Sequence, residues 1–232
     1  MSFSLRRKPI SRLFNRTIRP NFLSLVFAAA LLLSLTGFAS AIAQDKNVSL
    51  SLGSAAPDFY LQDVVSGKVF SKVNFSGRKA LLVVFLCRHC PYVQHVKAAL
   101  AQMGKDYEGR DVGIVAISSN DANAYPIDSP EGLKEMAARE GFNFPILYDE
   151  TQSAAQAYGA VCTPEFFLFD EERKLVYHGQ FDDTRPGGRD LATGQDVRNA
   201  VDAVLSDQPV PSGQKPAQGC SIKWKKENVS AS

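Results

Sequence analysis

The chain is 232 residues long, 45% hydrophobic and 22% charged, with a formal net charge of +2. The basic excess belongs to residues 1–43, which hold Arg6, Arg7, Lys8, Arg12, Arg16 and Arg19 and no acidic side chain; without them the charge is −4, which excludes nucleic-acid binding through bulk charge. The remaining length suits one domain with its own core, and no internal repeat or low-complexity block interrupts it.

Residues 1–43 read as an export signal: a basic start, an apolar stretch over 22–38, and Ala41-Ile42-Ala43 before Gln44. An uncleaved membrane anchor or an organelle transit peptide would share parts of this composition. The apolar core is short for a span and ends in a small-residue exit, which favours cleavage. Pro9 and a long polar stretch separate Arg6-Arg7 from the apolar core, unlike a twin-arginine signal, and no cysteine at the exit suggests a lipoprotein. The expected location is the periplasm or another extracytoplasmic compartment, where cysteines are either disulfides or redox-active. Residues 44–55 are a short linker, 56–206 the domain, and 207–232 a Pro/Gly-rich tail.

Ala56-Pro57-Asp58-Phe59 opens the domain, and 67–71 suggests a short hairpin. The run 80–86 is apolar throughout, as in a strand buried on both faces of a sheet. Val93, Val96, Leu100, Met103 and Tyr107 recur at steps of three and four, one face of a helix over 91–107 with Pro91 in its first turn. A strand over 111–117 completes a βαβ unit, so the two strands should be parallel. After a polar loop, Ser129-Pro130 starts a helix ending near Gly141, and 145–148 is a short extended piece. Asp149 caps a helix over 151–158, with Gln152 in the reciprocal position and Gly159 as the stop. Segments 165–170 and 174–179 read as an antiparallel hairpin, and 197–205 as the last helix.

The chemistry centres on Cys87-Arg88-His89-Cys90, between the buried strand and the helix over 91–107. A helix N-terminus carries unsatisfied N–H groups and partial positive charge, which favour a thiolate there. A thiolate is the nucleophile of disulfide exchange, and a second cysteine three residues on can close the ring. A structural disulfide or half of a zinc site would use the same residue types, though zinc needs a second closely spaced ligand pair.

The chain resembles the thioredoxin superfamily, within the redoxin group that includes exported thiol–disulfide oxidoreductases and relatives of peroxiredoxins. The resemblance spans 56–206 and rests on 85–93 around the CxxC, on 141–149, and on Cys162-Thr163-Pro164. The tail segment 219–225 also resembles the end of one redoxin subgroup. It implies an α/β thioredoxin-like fold: a central mixed sheet flanked by helices, βαβ then ββα, with an N-terminal extension and a redoxin-type insertion. It further implies that Cys87 is the exposed, attacking thiol and Cys90 the resolving one. Pro164 is expected to be a cis-proline facing the pair, with Thr163 offering main-chain groups to an extended peptide.

Positive charge on Arg88 and His89 would favour the Cys87 thiolate and an oxidising poise. Cys162 and Cys220 are possible accessory thiols. Cys162 could join a relay with Cys87, be a small buried apolar residue, or pair with Cys220 to tie the tail down. His95 reads as a surface residue, His178 has no partner visible in sequence, and Trp224 could pack or stay exposed. Glu165 could assist proton transfer near Cys90 but reads more simply as a surface carboxylate.

The function expected is exchange of electrons with protein thiols and disulfides, reset by a membrane or soluble redox partner. No cofactor or metal is required, and the membrane enters only through an uncleaved signal. The alternative is a peroxiredoxin-like peroxidase, for which Arg185 or Arg189 could line a peroxide pocket. Against it, Cys87 stands where those relatives have threonine, and no upstream Pro-x-x-x-Thr precedes Cys90. A copper-handling assembly factor is a third reading, disfavoured because its relatives place their cysteines four apart.

Overall fold

The described residues run from 50 to 229 in a computed structural model, so the leader expected over 1–43 and most of the linker lie outside them. β1 (Tyr60–Asp63) and β2 (Val69–Ser71) pair as the expected hairpin. β3 (Ala80–Phe85), α1 (Pro91–Asp106) and β4 (Val112–Ser118) form the βαβ unit, parallel from Ala80↔Val112 to Phe85↔Ile117. α2 (Pro130–Glu140) leads to β5 (Ile146–Tyr148), parallel to β4. α3 (Ser153–Tyr158) and β6 (Cys162–Thr163) precede the antiparallel hairpin β7 (Glu165–Phe169) and β8 (Leu175–Gly179). α4 (Gln195–Leu205) follows, and the tail adds β9 (Cys220–Ser221) and the single turn α5 (Lys226–Val229). The main sheet runs β2-β1-β5-β4-β3-β7-β8, and β6 and β9 make a separate two-stranded ribbon.

The uninterrupted apolar run of β3 follows from its central place. Leu82 and Val84 face a core shared with Val93, Val96, Leu100, Leu133 and Val201, whereas Leu81, Val83 and Phe85 face Ala155, Tyr158, Phe167 and Ile222. Helices therefore cover both faces, and no position of β3 is left for a polar side chain. Among the described residues, no helix is long and apolar enough to cross a membrane.

Local signals set several boundaries. Ser129 Oγ accepts from the Gly132 N–H at 3.2 Å, Pro130 fills the first turn of α2, and Gly141 ends it at φ 70°. The reciprocal cap expected at α3 does not form. Gln152 itself precedes the helix at φ 65°, and its amide donates to Ser119 O and Lys223 O while accepting from the Lys225 N–H. Asp149 does accept from a helix N–H, that of Ala155 at 3.0 Å. Tertiary contact with the tail thus captured a side chain that local spacing assigned to a cap.

Candidate active site

Register builds the site. β3 and β7 end their antiparallel pairing at Phe85↔Glu165, so Cys87, two residues after Phe85, meets Thr163, two residues before Glu165. Cys87 Sγ lies 3.2 Å from Thr163 Oγ1, and Cys90 Sγ donates to Thr163 O at 3.1 Å. The Thr163–Pro164 peptide is cis, as the resemblance implied. Cys90 occupies the N-cap of α1 and Pro91 its first turn, so the cysteine meets the free N–H groups of the helix start.

Cys87 was expected to be exposed; in the structure both Cys87 and Cys90 are 0% exposed. The tail is the physical reason. β9 pairs antiparallel with β6, Thr163 opposite Cys220 and Cys162 opposite Ser221, and the Ile222 N–H donates to Val161 O. Directly opposed residues of an antiparallel pair project to the same face. Cys220 therefore shares the face of Thr163, towards the dithiol, and both its backbone N–H and its side chain hydrogen-bond the Cys90 sulfur. Cys162 projects to the other face with Ser221, away from Cys220.

The charges also differ from expectation. Arg88 is spent on α2, donating to Gly132 O at 3.1 Å and to Glu135 Oε2 at 2.8 Å. His89 Nδ1 lies 2.5 Å from Asp128 Oδ2, and its ring stacks on Tyr125. The charge that reaches Cys87 is the Asp128 carboxylate. The Cys87 thiol is pushed far up, first by its hydrogen bond with Cys90, then by burial and by Asp128. Cys90 is held well below the ordinary thiol value of 9.0, chiefly by the hydrogen bond from Cys87, with further donors from Cys220 and the Val93 N–H. In the dithiol Cys90 donates to Thr163 O; when the pair loses one proton the charge goes to Cys90, and the proton that remains stays on Cys87. Cys162 is pushed up to about 12, mainly by burial and then by Glu165, and Cys220 to about 11, mainly by burial and then by its hydrogen bond with Cys90.

Residues 51–197 match the Redoxin family. The chain belongs to that family. It is 26% identical over 130 residues to the thiol–disulfide oxidoreductase ResA of Geobacillus thermodenitrificans, covering 56% of this chain and 70% of that protein. A crystal structure of an uncharacterized conserved protein from Geobacillus kaustophilus shares 48% identity, with a TM-score of 0.74 over 76% of this chain and 93% of the other. A thiol:disulfide interchange protein of the thioredoxin family from Chlorobium tepidum, at 20% identity and a TM-score of 0.52, is similar over 68% of this redoxin and 99% of its own length, a likeness of fold. The thioredoxin-like architecture is thereby established.

Several residues of this redoxin's site escaped the sequence. Asp128 is 0% exposed and gathers the CxxC loop, accepting from the Arg88 N–H at 2.7 Å, the His89 N–H at 3.0 Å and Asn120 Nδ2 at 2.9 Å. It lies about forty residues from the motif, in a polar loop that sequence reads as connection only. Glu165 is not a surface carboxylate. It is 2% exposed, accepts from the Val161 and Cys162 N–H groups, and sits 2.7 Å from His178 Nε2, the partner His178 lacked in sequence. It closes the corner between β6 and β7, where its partners are Val161, Cys162 and His178. His95 is half-buried and meets Thr184 Oγ1 at 2.8 Å. Ile222 is buried and Trp224 half-buried against the core that holds Phe85.

Atoms of Cys87, His89 and Asp128 lie within 4.8 Å of one another, close enough to share a cation. His89 and Asp128 already satisfy each other there. Arg185 is committed to Gln180, Asp182, Thr184 and the tail residue Gln218, and Arg189 is exposed.

Proposed function

We propose that this redoxin is an exported thiol–disulfide oxidoreductase that exchanges electrons with protein cysteines through Cys87 and Cys90. The observation that carries the reading is the pair of sulfurs at the start of α1, each within hydrogen-bond reach of Thr163 beside a cis-proline. In the oxidising direction a client thiolate attacks Cys87 Sγ, and the Cys87–Cys90 bond breaks with its electron pair on Cys90. Cys90 is the better leaving group because α1 and its neighbours stabilise its thiolate. A second client thiolate then attacks the client sulfur and releases Cys87, which takes up a proton. Stabilising one thiolate of the reduced pair favours reduction of the disulfide, so the poise is oxidising.

Protein clients cannot reach two buried sulfurs across a closed ribbon, and the edge of β6 that an extended peptide would pair with is occupied by β9. Direct exchange with Cys87 therefore requires residues 216–221 to lift. The flanking tail is fastened on both sides, by Gln214 and Lys215 against His178 and Gln180, and by Lys223 and Lys225 against Asn120 and Gln152, whereas within 216–221 Gln218 accepts from Arg185. Export rests on the leader composition, and N-terminal sequencing of the envelope-associated protein should begin at Gln44.

The decisive experiment uses the reduced Cys90→Ser variant and a disulfide-bonded peptide. Cys87 should hold the peptide as a stable mixed disulfide, which wild type resolves. No adduct, together with a wild-type Cys87–Cys90 disulfide that never opens in dithiothreitol, would overturn the reading.

A further inference from the structure

The site described so far uses two sulfurs, yet a third lies against it. Cys220 is half-buried, whereas Cys87 and Cys90 are fully buried, so it is the sulfur of the cluster nearest to solvent. Its position is set from three sides. It is the register partner of Thr163, whose carbonyl receives the Cys90 thiol. It packs against the core cluster that contains Cys87 and Cys90. The preceding Gly219 presses on the same carbonyl so closely that an added Cβ would sit 2.0 Å from Thr163 O. Cys162, the fourth free cysteine, is the register partner of Ser221 and not of Cys220, so a simple tail staple between Cys162 and Cys220 does not fit the register.

We infer that Cys220 is a third redox-active thiol, which exchanges with Cys90 and carries the disulfide from the buried pair to the surface, where thiols of a redox partner can reach it. The inference rests on the dithiol exchange proposed above. The step is redox-neutral. The Cys220 thiolate attacks Cys90 Sγ of the Cys87–Cys90 disulfide, the Cys90–Cys220 bond forms, and the Cys87–Cys90 bond breaks. Its electron pair leaves on Cys87, which binds the proton given up by Cys220. Burial and the neighbouring Asp128 suit Cys87 to that neutral state. A thiolate from outside then attacks Cys220, and Cys90 departs into the donors at the start of α1. Run backwards, the same two steps oxidise the buried pair without opening the ribbon to a bulky partner.

The test is disulfide mapping of the full chain without its leader, treated with one equivalent of oxidised glutathione, digested without reduction and read by mass spectrometry. Wild type should yield both Cys87–Cys90 and Cys90–Cys220 peptides. Cys87→Ser, and independently Cys87→Ala, should yield Cys90–Cys220 alone and expel bound glutathione at least roughly tenfold faster than the same variants also carrying Cys220→Ser, because a tethered thiol acts at high effective concentration. Absence of the Cys90–Cys220 peptide from wild type and both variants overturns the inference, as does a Cys162–Cys220 product. If Cys87–Cys90 forms and opens normally while Cys90–Cys220 never appears, the exchange function stands and only the third thiol falls. If Cys87–Cys90 never forms, the exchange function itself is lost.

Discussion

Replacing Gly219 with Ala tests whether β9 gates the dithiol. The new Cβ would lie 2.0 Å from Thr163 O, 2.5 Å from Thr163 C and 3.1 Å from Pro164 N, all backbone atoms that cannot rotate away. Carbon and oxygen need about 3 Å or more, so the strap must retreat by roughly 1 Å, enough to break a hydrogen bond. Losing two backbone hydrogen bonds of the β6–β9 ribbon, at about 1 kcal/mol each, lowers the cost of opening by about 2 kcal/mol. Since each 1.4 kcal/mol is a factor of ten, the open population should rise roughly thirtyfold. The reduced protein would be alkylated with iodoacetamide, and modification of Cys87 and Cys90 followed by peptide mass spectrometry. Gly213→Ala is the control, because nothing lies within 4 Å of the Cβ it would add in the same tail. A Gly219→Ala protein that is folded yet alkylates at the Gly213→Ala rate would refute the gate.

Three further outcomes follow from the site. Asp128→Asn should bring the Cys87 thiol down towards its ordinary value, because it removes the nearby negative charge; thiolate absorbance against pH, compared between Asp128→Asn and wild type, reads the shift. Cys90 is depressed in the folded state, so its thiolate contributes stability that is present above the unfolded value of 9.0 and is lost as pH falls through the folded value. The stability of reduced wild type over Cys90→Ala, from denaturant midpoints, should therefore shrink on acidification from pH 9 and level off once the folded thiolate is protonated, leaving the packing cost of the buried sulfur; a pH-independent difference would contradict the assignment. Glu165→Ala orphans the Val161 and Cys162 N–H groups and the His178 ring, and should destabilise by about 3 kcal/mol, or roughly 6–12 °C in melting temperature for a domain of this size. Glu165→Gln, which keeps an acceptor, should recover part of that loss.

The parts of the molecule legible in sequence share one property: neighbours along the chain decide them. The double-faced strand 80–86 showed as an unbroken apolar run because both faces of β3 are covered. α1 showed through its three-and-four spacing and Pro91, and α2 through Ser129 and Gly141. The CxxC between strand and helix marked the candidate site because a dithiol that closes a small ring needs its two cysteines close along the chain. Gln152 was misread for the complementary reason: its spacing fits a cap, but Lys223, 71 residues away, binds it instead.

The sequence alone determined that two thiols stand at a helix start, on a strand buried from both sides, in a chain whose basic excess belongs to its first 43 residues. Tertiary structure alone decided which charges those thiols meet. It turned Arg88 and His89 aside to Glu135 and Asp128 and placed a carboxylate near Cys87. It also laid Cys220 against Cys90, a pairing 130 residues apart that no local pattern encodes. The reason is physical: hydrogen-bond spacing and burial periodicity are short-ranged along the chain, whereas electrostatics and solvent access depend on what folds back across the site.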